Sequence, residues 1–287
     1  MMKKIFVSLL MLSMLIGAYC QQKSFKVEVS GKGQPVILIP GYSCSGDVWK
    51  TTVDNLKANY QLHVLTLAGF AGVPPIDTPI LKTVKNDLIK YVRDNHLNKP
   101  VLIGHSMGAF ISLWVASEEP SLFSKILCVD GVPFISAMSN PSITSEEIKK
   151  NPAYNAESEA NHFKNLAEKQ FQDNQFKAML AIISDSAHAG LITQWSAASD
   201  RKTLGYTFVE MSTTDLRNEI AKINIPVLVL GSTYGTMETS QTTLTAQYTL
   251  LHDKRIIIAP ARHFIMYDDP LWFREQVKNF LINGLAD

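Results

Sequence analysis

Short, largely apolar runs recur along the chain, separated by longer stretches of mixed polarity. Val36–Ile39, Leu62–Leu67, Val101–Ile103, Ile126–Val129, Val227–Leu230 and Arg255–Ile258 are such runs. Nearly continuous apolar strands suit a parallel sheet covered on both faces. Phe25-Lys26-Val27-Glu28-Val29 alternates instead and leads into Gly31-Lys32-Gly33, which predicts an antiparallel edge strand closed by a turn. Asp77 to His96 reads as a helix before the strand that follows Pro100, and Pro270 opens the last helix, where its missing N–H is tolerated. This alternation predicts an α/β fold with a doubly wound, mostly parallel sheet. The rhythm stops between Val132 and about Asp215, a stretch rich in Ala, Asn, Gln and Ser in which Phe176 to Ile183 reads as helix. Because the sheet pattern resumes at Ile225-Pro226-Val227, the stretch is read as a helical insertion covering the carboxyl ends of the strands.

With 287 residues, 46% of them hydrophobic, the chain can bury a sizeable core. Lys and Arg total 27 against 26 Asp and Glu, and no block of like charge stands out, which weighs against nucleic acid as a partner. Lys3 and Lys4 precede an apolar run from Ile5 to Ala18, shorter than the ~20 residues that span a bilayer. This is the pattern of a secretory signal, with Ala18-Tyr19-Cys20 as a cleavage site. A lipoprotein acylated at Cys20 is the competing reading, against which the bulky Tyr19 speaks. The expected product is exported, periplasmic or secreted, with no membrane span after signal removal. The expected division is 1–20 signal, 21–132 first part of the core, 133–215 helical cap and 216–287 second part of the core. Cys128 lies within an apolar strand and reads as a free core thiol; a disulfide with Cys44 remains open from sequence. No metal-ligand spacing is present, and no metal or cofactor is implied.

The densest chemical signal is Gly104-His105-Ser106-Met107-Gly108. It follows the apolar strand Val101–Ile103 and precedes the apolar helix pattern from Ala109 to Ala116. In that setting G-x-S-x-G is a nucleophile elbow, in which two residues without Cβ let strand and helix crowd around an exposed serine hydroxyl. Two further segments accompany it: Pro40-Gly41-Tyr42-Ser43-Cys44-Ser45-Gly46-Asp47-Val48-Trp49 after an early strand, and Arg262-His263-Phe264-Ile265-Met266-Tyr267-Asp268-Asp269-Pro270 before the last helix. Gly69-Phe70-Ala71-Gly72 adds a weaker fourth.

On these residues the chain resembles the α/β-hydrolase superfamily, in the subgroup with a helical cap, from about residue 25 to the end. The resemblance implies Ser106 as nucleophile and His263 as the general base that takes its proton. It implies the backbone N–H groups of Met107 and Tyr42 as the oxyanion hole. His105 stands at the variable elbow position and could brace the turn; the remaining histidines have no motif support. Two departures stand out. Pro40 replaces the bracing histidine that usually precedes Gly41, and Tyr234 occupies the place where most members keep the triad acid, about three residues beyond Gly231. Asp130, ending the strand Ile126–Val129, is the preferred acid, because a strand tip is a rigid support and some members, including one group of haloalkane dehalogenases, place theirs there. Glu238 is the runner-up, and an acid-free dyad a third option. Phe134, Phe264 and Trp195 are the expected substrate-pocket residues.

The expected activity is hydrolysis of a carboxylic ester, or of a related amide or lactone, on a small-molecule substrate with an apolar group, through an acyl-serine and without a cofactor. Two alternatives stand beside it. One is a cofactor-free lyase or perhydrolase on the same triad; the other is a non-catalytic ligand-binding protein of this fold, which the tyrosine at position 234 keeps in view.

Overall fold

The computed structural model describes residues 24–286. The expected signal segment and Cys20 lie outside the described residues. Seven strands, β1 (Phe25–Ser30), β2 (Gln34–Ile39), β3 (Tyr60–Leu67), β4 (Val101–His105), β5 (Ile126–Val129), β6 (Val227–Gly231) and β7 (Lys254–Ile258), form one sheet in the order β1-β3-β2-β4-β5-β6-β7. β1 is antiparallel to β3 and every other pairing is parallel.

The apolar runs are explained by what covers them. Along β2, Ile37 and Ile39 enter one core while Val36 and Leu38 enter the other. The same alternation sends Ile126 and Cys128 of β5 one way and Leu127 and Val129 the other. β2 and β5 thus bury both faces, as the inner strands of a parallel sheet between two helical layers must. One layer holds α2 (Ile80–Asp94) and α3 (Met107–Glu118); the other holds α1 (Lys50–Leu56) and α11 (Pro270–Asn283). Cys44 and Cys128 belong to opposite cores, and both are free, buried thiols, so the disulfide left open by sequence does not form. Burial pushes both thiols up to about 12.

Between β5 and β6 the chain runs through α4 (Ser145–Lys150), α5 (Ala156–Asn165), α6 (Glu168–Ile182), α7 (Ser186–Ala197) and α8 (Arg201–Thr213), with short 3-10 turns. After β6 come α9 (Met237–Gln247) and, after β7, α10 (Ile265–Asp268). Polar ties fasten the helical insertion to the loop and short helix that follow β7. Asp268 accepts from Ser184 N–H at 2.9 Å, from the Ser184 hydroxyl at 3.0 Å and from Arg262 N–H at 2.9 Å. The Arg262 guanidinium donates to the Leu180 and Ile183 carbonyls.

Glu210 of α8 supplies another tie. The helix α2 starts after Pro79 with no side-chain cap of its own. The Glu210 carboxylate accepts from the N–H groups of Leu81 at 2.9 Å and Lys82 at 2.8 Å, capping α2 from 129 residues away. Glu210→Ala is therefore expected to cost about 1 kcal/mol, the usual value of a lost N-cap, and Glu210→Gln, which keeps one acceptor, less. Thermal unfolding of the two variants checks this ordering.

Candidate active site

The site lies at the carboxyl ends of β2, β4, β5 and β6. The helices after β2 and β4 leave toward opposite faces of the sheet, and the crevice between the tips of these two strands is where open α/β sheets bind ligands.

Ser106 is the single residue between β4 and α3, held at φ 53° and ψ −117°. That conformation costs a residue with a side chain on the order of 1–3 kcal/mol and persists only under tight constraint. Two glycines provide it: a Cβ on Gly104 would lie 2.2 Å from the Gly108 carbonyl oxygen, and one on Gly108 would lie 2.1 Å from that of Ile39. The loop after β2 closes over the serine from the other side. A Cβ on Gly41 would come within 2.8 Å of His105 Nδ1 and 3.3 Å of Ser106 Cβ.

Asp130 directly follows β5, at φ 46°, a left-handed conformation that aspartate tolerates better than most residues. Its buried carboxylate receives four donors. Ser232 gives its N–H to Oδ1 at 2.7 Å and its hydroxyl to Oδ2 at 2.8 Å; Tyr234 gives its hydroxyl to Oδ2; and His263 Nδ1 lies 2.5 Å from the same oxygen. Burial alone would push the Asp130 carboxyl up, but the donors, His263 foremost, hold it below the usual carboxylate range. The phenol of Tyr234 is pushed up by burial and by the Asp130 charge.

Ser106, Asp130 and His263 face one cavity of about 50 Å³, whose apolar wall is formed by Phe110, Val132, Ile135, Met138, Met211 and Leu244. No hydrogen bond joins the Ser106 hydroxyl to His263, a spacing common before substrate tightens such contacts. The N–H groups of Met107 and Tyr42, the sequence's candidates for an oxyanion hole, donate to no protein acceptor among the described residues. Met107 opens α3, where the first N–H groups carry the positive end of the helix dipole. The Tyr42 ring packs edge-on to Phe70, and its hydroxyl donates to the Leu204 carbonyl of α8 at 2.8 Å. A larger groove of about 860 Å³ between α1 and α11 contains neither Ser106 nor His263, and so holds none of this chemistry.

The structure separates the other sequence candidates. Glu238 is exposed in the first turn of α9, and the bond to the His263 ring belongs to Asp130. None of Phe134, Phe264 and Trp195 lines the cavity, contrary to expectation. Phe134 is fully buried with Ala137 and Ile148, under the Arg217 guanidinium. Phe264 packs against the rings of His105, His263 and Tyr267, buttressing the histidine from outside the cavity. Trp195 packs against the second core. Nearness in sequence to Asp130 or His263 did not translate into the same direction in space. Of the insertion's apolar residues, Ile135, Met138 and Met211 reach the cavity.

Two groups were missed. Ser232 and Tyr234 converge on Asp130, a pairing hinted at by a polar triplet, Ser232-Thr233-Tyr234, directly after a strand adjacent to β5. His105, read only as a brace, is fully buried, 4.6 Å ring to ring from His263, and donates Nε2–H to the His263 carbonyl at 3.1 Å. Burial, then the neighbouring His263, pushes His105 down to about 3. The folded chain thus keeps this ring neutral where the unfolded chain, at about 6.5, takes a proton. Stability is intact above the unfolded value and is lost as pH falls toward 3. Between pH 7 and pH 5 the loss from this ring is about 2 kcal/mol, at 1.4 kcal/mol per unit below 6.5. Denaturant unfolding at the two pH values checks it: His105→Gln, though less stable throughout, should lose about 2 kcal/mol less between them than the wild type.

A seven-stranded, mostly parallel sheet with a serine elbow after its central strand and a helical insertion before β6 defines a hydrolase-type α/β fold. The profile of the alpha/beta hydrolase family matches residues 36–276, and the chain belongs to that family. Among curated proteins it is 25% identical over 217 residues to the pimeloyl-acyl-carrier-protein methyl ester esterase of Vibrio atlanticus, covering 73% of this chain and 78% of that one. To the enzyme of the same name from Legionella pneumophila it is 28% identical over 202 residues, covering 70% and 75%. Among solved structures, the enol-lactonase from Burkholderia xenovorans LB400 superposes with a TM-score of 0.73 at 14% identity, over 90% of this chain and 96% of that one. The bromoperoxidase from Bacillus anthracis superposes with a TM-score of 0.74 at 20% identity, over 90% and 95%. At those identities the structural likeness concerns the fold alone. No helix of the described residues is long and apolar enough to cross a membrane.

Proposed function

We propose that this chain is an exported serine esterase. The observation that carries the reading is the bond from His263 Nδ1 to the buried, ionised Asp130, with the remaining ring nitrogen free to serve the strained Ser106 in the same cavity. The curated relatives, esterases by name, support ester bonds as the target. The basic and apolar leader from Lys3 to Ala18 supports export.

In the proposed reaction Ser106 Oγ attacks the ester carbonyl carbon while His263 takes the hydroxyl proton. The oxygen that becomes negative lies against the Met107 and Tyr42 N–H groups, and the Asp130 carboxylate stabilises the charged ring. The tetrahedral adduct collapses, the C–O bond to the alcohol breaks, and His263 returns the proton to the leaving alkoxide. Water then attacks the acyl-serine by the same route, releasing the carboxylic acid and restoring the Ser106 hydroxyl. The cavity, about 50 Å³ and apolar on its wall, accommodates one short substituent of the carbonyl; sites for drug-sized ligands are of order 300–1,000 Å³.

A fluorophosphonate probe and a panel of p-nitrophenyl esters test this reading. Stoichiometric labelling of the purified protein, together with turnover of p-nitrophenyl acetate, is expected. A folded protein that takes no label and hydrolyses no member of the panel would return the non-catalytic alternative.

A further inference from the structure

Tyr234 sits where most relatives in fold would hold a carboxylate, yet its phenol is aimed at one. We propose that Tyr234 is a positioning residue that holds the Asp130 carboxylate in line with His263 and moderates its charge; the proposal rests on the esterase reading above. Its hydroxyl donates to Oδ2, the same oxygen that His263 Nδ1 contacts at 2.5 Å.

The loop after β6 is built to deliver this bond. Ser232 and Tyr234, two residues apart, both face Asp130. Thr233, between them, turns the other way: its N–H donates to the Ala261 carbonyl at 2.9 Å and its hydroxyl to that of Ala259 at 2.7 Å. Those carbonyls lie just ahead of His263. One tripeptide therefore grips the acid with its first and third side chains and the histidine loop with its second. Tyr234 N–H, donating to Ser240 Oγ at 2.6 Å, anchors the far end to α9.

Two effects follow from a donor at that oxygen. The carboxylate loses rotational freedom, so Oδ2 stays directed at Nδ1. The phenol also takes up part of the oxygen's charge, leaving less to favour the protonated imidazole. Without the phenol, the oxygen facing Nδ1 keeps its full charge and the carboxylate is freer to turn.

The test is Tyr234→Phe, which keeps the ring and removes only the donor. Its kcat for p-nitrophenyl acetate, normalised to sites titrated with fluorophosphonate, is expected to fall about three- to tenfold with KM little changed. The acid limb of the kcat/KM profile is expected to move to higher pH by roughly half a unit or more. Incorporation of 3,5-difluorotyrosine at position 234, a stronger donor, should move the limb the opposite way and covers the case of a poorly folding Phe variant. An acid limb that stays in place in both overturns the proposal, whatever happens to kcat, because a merely structural tyrosine would alter the number of working sites and not their pH dependence. Asp130→Asn, run alongside, separates the two levels. If it collapses while Tyr234→Phe matches the wild type, only this inference fails; if it retains full activity, Asp130 is not the acid and the inference loses its premise, whereas the esterase reading itself falls only when a folded wild type takes no label and hydrolyses no ester.

Discussion

Replacing Ser106 with Ala is expected to lower kcat for p-nitrophenyl acetate by about 10⁶-fold, close to the loss seen when a triad serine is removed elsewhere. The size follows from what the variant lacks. The other hydroxyl at the cavity, that of Tyr234, is engaged with Asp130 Oδ2, so the covalent route is lost. What survives is binding plus the N–H groups of Met107 and Tyr42, which retain about 10³–10⁴ over the uncatalysed reaction in comparable sites. The variant should fold well. Position 106 needs a residue at φ 53°, and Ala and Ser face the same backbone strain there. Label uptake by the fluorophosphonate should vanish while thermal stability stays near that of the wild type. Retention of more than a few per cent of wild-type turnover would assign the chemistry to another nucleophile.

The second large effect is expected at Asp130. Asp130→Asn should reduce kcat by about 10³–10⁴-fold at neutral pH. The Ser232 N–H fixes the orientation, because it needs an acceptor at the Oδ1 position. The new amide NH₂ must then occupy the Oδ2 position, facing the Tyr234 hydroxyl and His263 Nδ1. Donor meets donor, and the imidazole adopts the tautomer with its proton on Nε2. In that form it offers a proton to Ser106 instead of accepting one. Steady-state kinetics on Asp130→Asn and Glu238→Gln, run side by side, should show the loss in the first and near-wild-type rates in the second. The reverse pattern would refute the assignment of the acid.

Much of this architecture was legible in the sequence because strands buried on both faces leave an unambiguous trace. The runs at Val36, Val101, Ile126 and Val227 each became a strand, and the alternation from Phe25 marked the antiparallel edge. The elbow was equally legible, since Gly104 and Gly108 answer to a local steric demand. What escaped notice depends on contacts between distant segments. The start of α2 at Ile80 could not be read locally, because its cap is Glu210 on another helix. The individual helices of the insertion were not separable, since their polar and apolar positions follow contacts with one another and with the sheet. Tyr234 was read as a missing acid. Only the adjacency of β5 and β6 shows that its hydroxyl meets the acid on the neighbouring strand tip.

The cavity's two halves come from different parts of the chain. Its floor, with Ser106, Asp130 and His263, is carried on strand ends and glycine-tight turns that admit no larger residue. Much of its roof, with Ile135, Met138 and Met211, belongs to the stretch between β5 and β6. Under the proposed function, selection, natural or in the laboratory, can therefore retune which molecules are accepted by varying flexible thioethers on one side while the bond-breaking residues proposed on the other are left untouched.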